Sequence, residues 1–262
     1  MKTNRRGARS TAEQAELPEQ PPRVARIQHQ TLQERVYQQL RNAFLRSQFS
    51  PGETLTIRGL AEITGTSVQP VRDALQRLSA EKALEWLPNT AFRVPAIDRE
   101  RYRELWEIRA LLEGRAVELA AANVSDMDLA KLRKINKDMR AAMRQGDAVA
   151  TLAGNRDFHF TVYEAAKSPT LVSLIEMIWI QVSPLFATFT KRALGEDSSG
   201  GVQLVELAEK FFHLQDAVIE ALSEHDGKRA AETIREILAS SAMAFSVVAE
   251  NSSPKKQGRK KK

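Results

Sequence analysis

The periodicity of apolar residues changes from helical to alternating within residues 29–97, and this change constrains the fold more than any other feature. Three segments carry apolar residues three and four positions apart, as amphipathic helices do, and two short alternating segments follow around a turn. Three helices followed by a hairpin in about 65 residues are typical of a winged helix-turn-helix domain. The predicted helices are 31–47, 56–64 and a third from Ser67 through Leu78, and the predicted strands are 83–87 and 91–94.

Local signals support the ends of these helices. Thr31, with Glu34 three residues later, forms a capping-box pattern, and Gly65 stands where helices commonly end in the left-handed conformation. Ser67 is the expected N-cap of the third helix, and Pro70 lies in its first turn, where the missing N–H does no harm. Each predicted helix therefore has a suitable residue type at one of its ends.

The pattern from residue 98 to residue 250 is helical throughout. Ser125 with Asp128, Asp147 and Asp226 are the expected N-caps of later helices. Because the connections are mostly short, consecutive helices should pack as an antiparallel bundle. The fold class is therefore mainly α, with an N-terminal winged helix-turn-helix domain and a C-terminal all-α antiparallel helical bundle of six to seven helices. The predicted bundle helices are 99–122, 125–145, 147–167, 170–194, 201–224 and 227–249, with a flexible break at 195–201.

Charge is distributed unevenly along the 262 residues, although the whole chain has a formal net charge of +6. Residues 1–28 and 251–262 are polar, carry net charges of +3 and +6, and are predicted to be disordered basic arms. Residues 29–97 sum to +2 and residues 98–250 to −5. A basic first domain on an acidic remainder favours contact with a polyanion through one part of the molecule, although simple solvated charge is the alternative for the arms.

The residue types required by several other classes of protein are missing from the sequence. There is no cysteine, which excludes disulfides, thiolate nucleophiles and cysteine-ligated metal sites. No phosphate-binding glycine loop, His-Glu-x-x-His pair or nucleophile–base pair occurs, so we expect no enzyme. No run reaches the ~18 continuous apolar residues of a membrane span, and the N-terminus has no apolar signal core, so we expect a cytoplasmic protein without membrane contact.

The start of the third predicted helix carries the candidate DNA contacts. In a helix-turn-helix, this helix lies in the major groove and presents its first residues to base edges. A serine hydroxyl and free N–H groups suit phosphate, glutamine suits adenine, and arginine suits guanine. The alternatives are that Ser67 is only a cap and that Arg72 pairs with Asp73 or Gln76. The candidates are Ser67, Val68, Gln69, Pro70 and Arg72, together with Arg58 in the preceding helix, which is placed to reach the DNA backbone.

Residues 29–97 resemble the DNA-binding domain of the GntR family of bacterial transcriptional regulators. The matching residues are Ser50-Pro51-Gly52, Leu60-Ala61 and above all Ser67-x-x-Pro70-Val71-Arg72-Asp73-Ala74-Leu75. The resemblance implies DNA contacts from this helix and from the wing, at Asn89 and Thr90. The chain departs from the family pattern at Val68, where arginine is usual, and at Asn89-Thr90-Ala91, where the wing usually has Arg-Gly. We therefore expect an altered sequence preference with DNA binding retained.

The second predicted domain resembles the all-helical effector domain of FadR-type regulators, through residues 108–113 and Asp157-Phe158-His159. The resemblance implies a divalent metal held by one aspartate and three histidines. In this chain the four ligand places hold Asn155, His159, Gln215 and Ile237. Because His159 alone keeps the expected residue type, and neutral amides are poor ligands for Zn²⁺, we expect no metal cofactor. The alternative is a different alignment register that recruits His213 or His225.

The polar residues at these places are also candidates for an effector site. Asn155, His159 and Gln215 in an apolar bundle would need hydrogen-bond partners, which a small ligand or ordered water supplies. The resemblance adds Arg109, whose guanidinium suits a carboxylate, and implies an organic acid as the effector. The alternatives are an ion pair of Arg109 with Glu113 and a structural core role for His159. The residues expected in the core rather than in a pocket are Met127, Met139, Met143, Met177 and Trp179.

Together these features predict a ligand-responsive transcriptional regulator that acts as a homodimer on an inverted-repeat operator in double-stranded DNA. Repression is the more common mode in the family. A second hypothesis keeps the DNA-binding dimer but gives the bundle no effector site. A third is an enzyme built on the bundle, and the missing metal ligands are evidence against it.

Overall fold

The computed structural model describes residues 31–88, 91–96, 99–194 and 201–252. The two predicted arms, the wing tip at Asn89 and Thr90, and the predicted break at 195–201 lie wholly or mostly outside these residues. The described part confirms the predicted fold class, because a winged helix-turn-helix is followed by six long helices. The last helix extends to Ser252 and so includes the first two residues of the predicted C-terminal arm.

The winged domain contains three helices and a three-stranded antiparallel sheet in the order β1-β3-β2. Phe92 lies at the centre of this sheet, opposite Leu55 on one side and Trp86 on the other. The first strand was not predicted from the sequence, since three residues after a turn give too few alternating positions for a strand signal. The elements are α1 (Leu32–Leu45), β1 (Thr54–Thr56), α2 (Ile57–Thr64), α3 (Val68–Ala80), β2 (Glu85–Leu87) and β3 (Ala91–Arg93).

The predicted N-cap of α1 and the predicted glycine at the end of α2 are confirmed, whereas α1 ends earlier than predicted, at Leu45. The predicted start of α3 is confirmed in part. The Thr31 hydroxyl accepts the Glu34 N–H at 3.2 Å, and Gly65 ends α2 with a φ of 63°, a conformation that costs glycine little. Ser67 occupies the N-cap position of α3, but its side chain accepts no hydrogen bond from the helix. The Ser67 hydroxyl is therefore not used as a cap.

The bundle begins after the wing and consists of six helices. Ser125 and Asp128 form a reciprocal capping box at the start of α5. Asp147 and Asp226 accept backbone N–H groups in the first turns of α6 and α9, so all three predicted caps are confirmed. The helices are α4 (Arg99–Ala121), α5 (Asp126–Arg144), α6 (Ala148–Ala165), α7 (Pro169–Ala193), α8 (Gly201–Ser223) and α9 (Gly227–Ser252).

Helix α7 contacts both the winged domain and the rest of the bundle. Its Ser183 hydroxyl donates to the Phe44 carbonyl of α1 at 2.6 Å, and its Glu176 carboxylate pairs with Arg41 of α1 at 2.7 Å. By length and composition alone, residues 169–191 are also apolar enough to cross a membrane. In this fold the apolar side of α7 packs in the interior, where Trp179 is fully buried. α7 is thus a core helix that joins the two domains.

Candidate nucleic-acid interface and effector cavity

The beginning of α3 lies at the protein surface. The helix buries one side, where Val71, Ala74, Leu75 and Leu78 recur at intervals of three and four residues. Its first turn and the turn before it are left open to solvent. Of the predicted DNA-contacting residues, Arg58, Ser67, Val68 and Gln69 are exposed, and Pro70 and Arg72 are half-buried.

Arg72 and Gln69 differ in how far each is bonded to neighbours within the protein. The Gln69 side chain donates to the Asp73 carboxylate at 2.7 Å. Arg72, by contrast, forms no hydrogen bond or ion pair with another described residue, so the pairings with Asp73 and Gln76 considered from the sequence do not form. An unpaired guanidinium at the open start of a helix is available to a phosphate or to a guanine edge.

The wing is described up to its tip. An ion pair of 3.0 Å joins Arg93 of β3 to Glu85 of β2 across the hairpin. Trp86, the next residue of β2 after Glu85, is 58% exposed, and its exposure was not predicted from the sequence. The wing contacts expected at Asn89 and Thr90 lie outside the described residues and stay predictions.

A cavity inside the bundle is lined by residues from all six of its helices. The cavity volume is about 90 Å³, several times the roughly 10–15 Å³ that one water molecule needs, so the space is hollow rather than packed. All four predicted effector residues, Arg109, Asn155, His159 and Gln215, line it. The other lining residues are Met139, Met143, Thr151, Leu152, Phe186, Phe189, Thr190, Phe211, Phe212, Ile237, Leu238 and Ser241.

Beside this cavity, the carboxylate of Glu113 accepts hydrogen bonds from three side chains. Arg109 donates from Nε to Oε1 at 2.6 Å and from Nη2 to Oε2 at 3.3 Å. The Trp179 indole donates to Oε1 at 2.9 Å, and the Tyr163 hydroxyl donates to Oε2. Glu113 is fully buried and Arg109 is 2% exposed, so each charge depends on the other. The ion pair considered as an alternative role for Arg109 is therefore present.

Arg109 is also one of the residues that line the cavity. Nη1 of Arg109 has no hydrogen-bond partner among the described residues. The Arg109 Cζ lies 4.7, 5.1 and 5.4 Å from the ring centroids of Trp106, Trp179 and Phe186, and these rings fix the position of the guanidinium. The ion-pair role and the ligand-binding role of Arg109 are thus compatible, since two nitrogens bond Glu113 and the third has N–H groups to spare.

The neighbours of His159 hold it in one tautomer. Its Nδ1 lies 2.7 Å from the Tyr163 hydroxyl, which already donates its single hydrogen to Glu113. Nδ1 must therefore carry a hydrogen and donate it to Tyr163. Burial lowers the pKa of His159 to about 4; the Arg109 charge acts in the same direction, and the Glu113 charge opposes it. At pH 7 the ring is neutral, and its Nε2 is a hydrogen-bond acceptor.

Gln215 contributes a second unsatisfied polar group to the cavity. It is 2% exposed, and its Oε1 has no hydrogen-bond partner among the described residues. A buried oxygen in this state costs roughly 1–3 kcal/mol, which a polar ligand would recover. On α6, Thr151, Asn155 and His159 follow each other at intervals of four residues. That spacing could have identified Thr151 as a lining residue from the sequence.

The donor set of the cavity does not suit a divalent metal. His159 supplies the single imidazole, two amides replace charged or imidazole ligands, and Ile237 offers no donor at all. His213 is exposed, and His225 is bonded to a backbone carbonyl at 2.7 Å, so neither is recruited to the cavity. Within the described ranges, no three His, Asp or Glu side chains form a group that could hold a metal ion.

The expected core positions of the methionines are wrong in part. Met127 is 81% exposed and Met177 is 42% exposed. Met139 is buried against Phe212 with Met143 packed beside them, as expected, and both methionines also line the cavity. Trp179 is fully buried, as expected. Helical spacing shows that residues share one face of a helix, but it does not show whether that face meets the core, a cavity or solvent.

Comparison with known proteins assigns both domains. Residues 32–94 match the family "Bacterial regulatory proteins, gntR family", and residues 104–240 match the FCD domain. The HTH-type transcriptional regulator McbR of Escherichia coli (strain K12) is 33% identical over 163 residues, which are 62% of this chain and 74% of that protein. A "Probable D-xylose utilization operon transcriptional repressor" of Paenarthrobacter nicotinovorans is 29% identical over 170 residues, which are 63% of this chain and 70% of that protein.

A solved structure of E. coli McbR/YncC shares the fold. Its TM-score with this chain is 0.72 at 28% sequence identity, and the match covers 84% of this chain and 100% of that one. The two matched families lie on the two domains that the structure shows, with the helix-turn-helix first and the helical bundle second. The chain therefore belongs to the GntR family of bacterial regulatory proteins and is a transcriptional regulator whose C-terminal bundle is an FCD domain.

Proposed function

We propose that this regulator acts as a cytoplasmic homodimer that binds an inverted-repeat operator in double-stranded DNA, and that a small molecule in the bundle cavity changes its affinity for that operator. Repression is the expected mode. The protein has no catalytic activity and needs no bound metal. The proposed DNA contacts are Arg58, Ser67, Val68, Gln69, Pro70 and Arg72, with Asn89 and Thr90 at the wing.

The observation that carries DNA binding is the unpaired guanidinium of Arg72. The neighbouring arginine of the same helix, Arg77, is bonded to Glu34 at 2.9 Å and lies over the Tyr37 ring at 3.5 Å. Arg77 therefore joins α3 to α1, whereas Arg72 has no such role. The hydroxyl of Ser67, which does not cap the helix, lies at the solvent-exposed start of the same helix. Both groups are suited to an anionic partner.

The observation that supports an effector is the cavity with its unpartnered polar atoms. Arg109 Nη1 and Gln215 Oε1 are buried without partners among the described residues, and both residues line a cavity of about 90 Å³. An organic acid, which the family resemblance implies, would meet Arg109 at this nitrogen. A ligand that makes these bonds in one conformation and not in another shifts the balance between conformations.

Helix α7 offers a direct connection from the cavity to the DNA-binding domain. Phe186 and Phe189 of α7 line the cavity, while Glu176 and Ser183 of the same helix bond α1. A displacement of α7 on ligand binding is therefore transmitted to α1, and α1 packs on α3 through the shared core. The spacing of the two winged domains in the homodimer is the quantity that this movement changes.

Selection of duplexes from a random pool by the full-length protein tests the DNA-binding part. The expected result is an inverted repeat whose half-site centres lie about one helical turn, or a multiple of it, apart. Size-exclusion chromatography with light scattering measures the dimer directly. Enrichment of no sequence, or of a single unrepeated half-site by a monomer, contradicts the proposal.

A thermal-shift screen of the full-length protein against metabolites tests the effector part. A ligand that binds the folded state raises its stability by RT ln(1 + [L]/Kd), so a true effector gives a concentration-dependent rise in Tm. Each hit must also change operator affinity in a gel-shift titration. A screen in which no compound does both supports a DNA-binding dimer whose bundle has no effector site.

A further inference from the structure

The charges around the cavity already cancel without a ligand. Arg109 is the one charged side chain among the described residues that line the cavity, and Glu113 is bonded to it at 2.6 Å. Both are almost fully buried, so bulk solvent screens neither of them. A ligand that carries a full negative charge would therefore leave the site with one uncompensated buried charge, which is strongly unfavourable.

The residues that line the cavity carry both a hydrogen-bond donor and a hydrogen-bond acceptor. Arg109 Nη1 is a donor without a partner, and it needs an acceptor such as a carbonyl oxygen. His159 donates from Nδ1 to Tyr163, so its Nε2 accepts and needs a donor such as an N–H or O–H group. The rest of the wall is mainly apolar, with the rings of Phe186, Phe189 and Phe211 among its members.

From this arrangement we propose that the effector is an uncharged molecule with an apolar body, one carbonyl-type acceptor for Arg109 and one N–H or O–H donor for His159. The inference rests on the proposed effector function, and it replaces the organic acid that the family resemblance implies with an uncharged ligand. A metal that would otherwise neutralise a carboxylate is not available, because the donor set does not suit one.

A panel of matched compounds tests the charge of the ligand. Each pair is an arylalkanoic acid and its primary amide, of which 3-phenylpropanoate and 3-phenylpropanamide are the smallest. Binding to the full-length protein is measured by calorimetry at pH 7 in the presence of EDTA. We expect the amide of each binding pair to bind at least tenfold more tightly than the acid, and to bind more tightly than its N,N-dimethyl derivative, which lacks the donor.

The Glu113→Gln variant tests the cause of this preference. Glutamine has nearly the same shape but no charge, so Arg109 is left uncompensated and the acid is expected to become the tighter ligand of each pair. The matched control is Glu118→Gln, which removes an exposed carboxylate that pairs with Arg115 at 2.7 Å and lies outside the cavity. This control is expected to keep the preference of the wild-type protein. If Glu113→Gln does not fold, the wild-type measurement still decides.

The possible results separate this inference from the proposed function. Acids that bind as tightly as their amides, or more tightly, overturn the uncharged ligand class and leave an effector-responsive regulator intact. Equal binding of the primary and N,N-dimethyl amides overturns the donor requirement at His159. If no compound of the panel binds, the effector found by the metabolite screen decides: a charged effector overturns the inference and an uncharged one supports it. If that screen also finds no effector, the inference falls together with the effector function.

Discussion

Arg72 and Arg109 carry the same guanidinium in opposite environments. Arg72 is half-buried at the open start of α3 and has no partner among the described residues. Arg109 is 2% exposed, bonds Glu113 through two nitrogens and lies among three aromatic rings. Both therefore have unbonded N–H groups. Arg72 presents an uncompensated positive charge at the surface, whereas Arg109 presents a hydrogen-bond donor whose charge is already balanced by Glu113.

The difference shows how one residue type serves two kinds of recognition. At the surface, an uncompensated cation attracts phosphates at little cost, because water solvates it when no DNA is bound. In the interior, a cation is tolerated only with its counter-ion, so the folded protein needs the ion pair whether or not a ligand binds. We call the buried side chains bonded around Glu113 the buried network; they are Arg109, Glu113, His159, Tyr163 and Trp179. Replacing one of them should therefore lower the stability of the fold. Replacing Arg72 should weaken DNA binding and leave stability unchanged.

The largest expected effect comes from Glu113→Ala. It leaves the Arg109 charge and the Trp179 and Tyr163 donors buried without their acceptor, and should lower the free energy of unfolding by about 3–5 kcal/mol. Urea unfolding followed by circular dichroism measures the loss. The control Glu118→Ala breaks an exposed ion pair and should cost at most about 1 kcal/mol. Equal losses in the two variants would remove the distinction between the buried and the exposed pair.

Acid should destabilise the buried network through His159. Its pKa is lowered from 6.5 to about 4 in the folded state, so between these pH values the unfolded chain binds a proton that the folded protein does not. Stability should therefore fall as the pH drops from about 6.5 to about 4, by about 3 kcal/mol from this residue. The measurement compares unfolding of the wild-type protein and His159→Gln across this range. If the free energy of unfolding of the wild-type protein falls no more steeply with decreasing pH than that of His159→Gln, the lowered pKa is contradicted.

Arg72→Ala is expected to weaken operator binding by about 1–3 kcal/mol, or roughly 5- to 150-fold, while Tm stays unchanged. The reason is that Arg72 has no bond within the described part of the protein to lose. Fluorescence anisotropy with the selected operator gives the affinity. The control is Arg133→Ala, an exposed arginine on α5. An unchanged affinity in Arg72→Ala would mean that this helix is not the DNA-contacting element.

The smallest expected effect has the opposite sign. Gln215→Leu removes a buried oxygen that has no partner, so it should raise the stability of the ligand-free protein by about 1 kcal/mol and abolish any effector response. In the control Gln181→Leu, both ends of the amide lose hydrogen bonds, to Arg101 and to the Met177 carbonyl, and stability should fall. If Gln215→Leu lowers the free energy of unfolding instead, Gln215 stabilises the ligand-free fold and is not a residue reserved for ligand binding.

The winged domain could be predicted closely because its signals are local. The three helices, the cap at Thr31 and the glycine at the end of α2 depend on residues three or four positions apart. The strand β1 could not be predicted, since its three residues become a strand only by pairing with β3. The free hydroxyl of Ser67 could not be predicted either, because capping residues and phosphate-binding residues are of the same types.

The cavity was predicted in part, and the missing part has a physical reason. The four polar residues assigned to it from the sequence all line it, because family resemblance and helical register place them. The remaining hydrogen bonds to Glu113 come from Trp179 and Tyr163, which lie on different helices and meet at Glu113 only after folding. The positions of Met139 and Met143 likewise depend on how α5 rotates against α6 and α8, which spacing along one helix does not contain.

Helix α7 both lines the cavity and bonds α1, and this has a practical consequence for engineering the regulator as a biosensor. Its cavity side and its α1 side belong to one continuous helix, so changes at Phe186 or Phe189 are expected to alter both which molecule is detected and how strongly the output responds. Lining positions on α8 and α9, such as Phe211 and Ser241, make no bond to the winged domain among the residues described. Libraries for a new analyte should therefore vary those two helices and keep α7 constant.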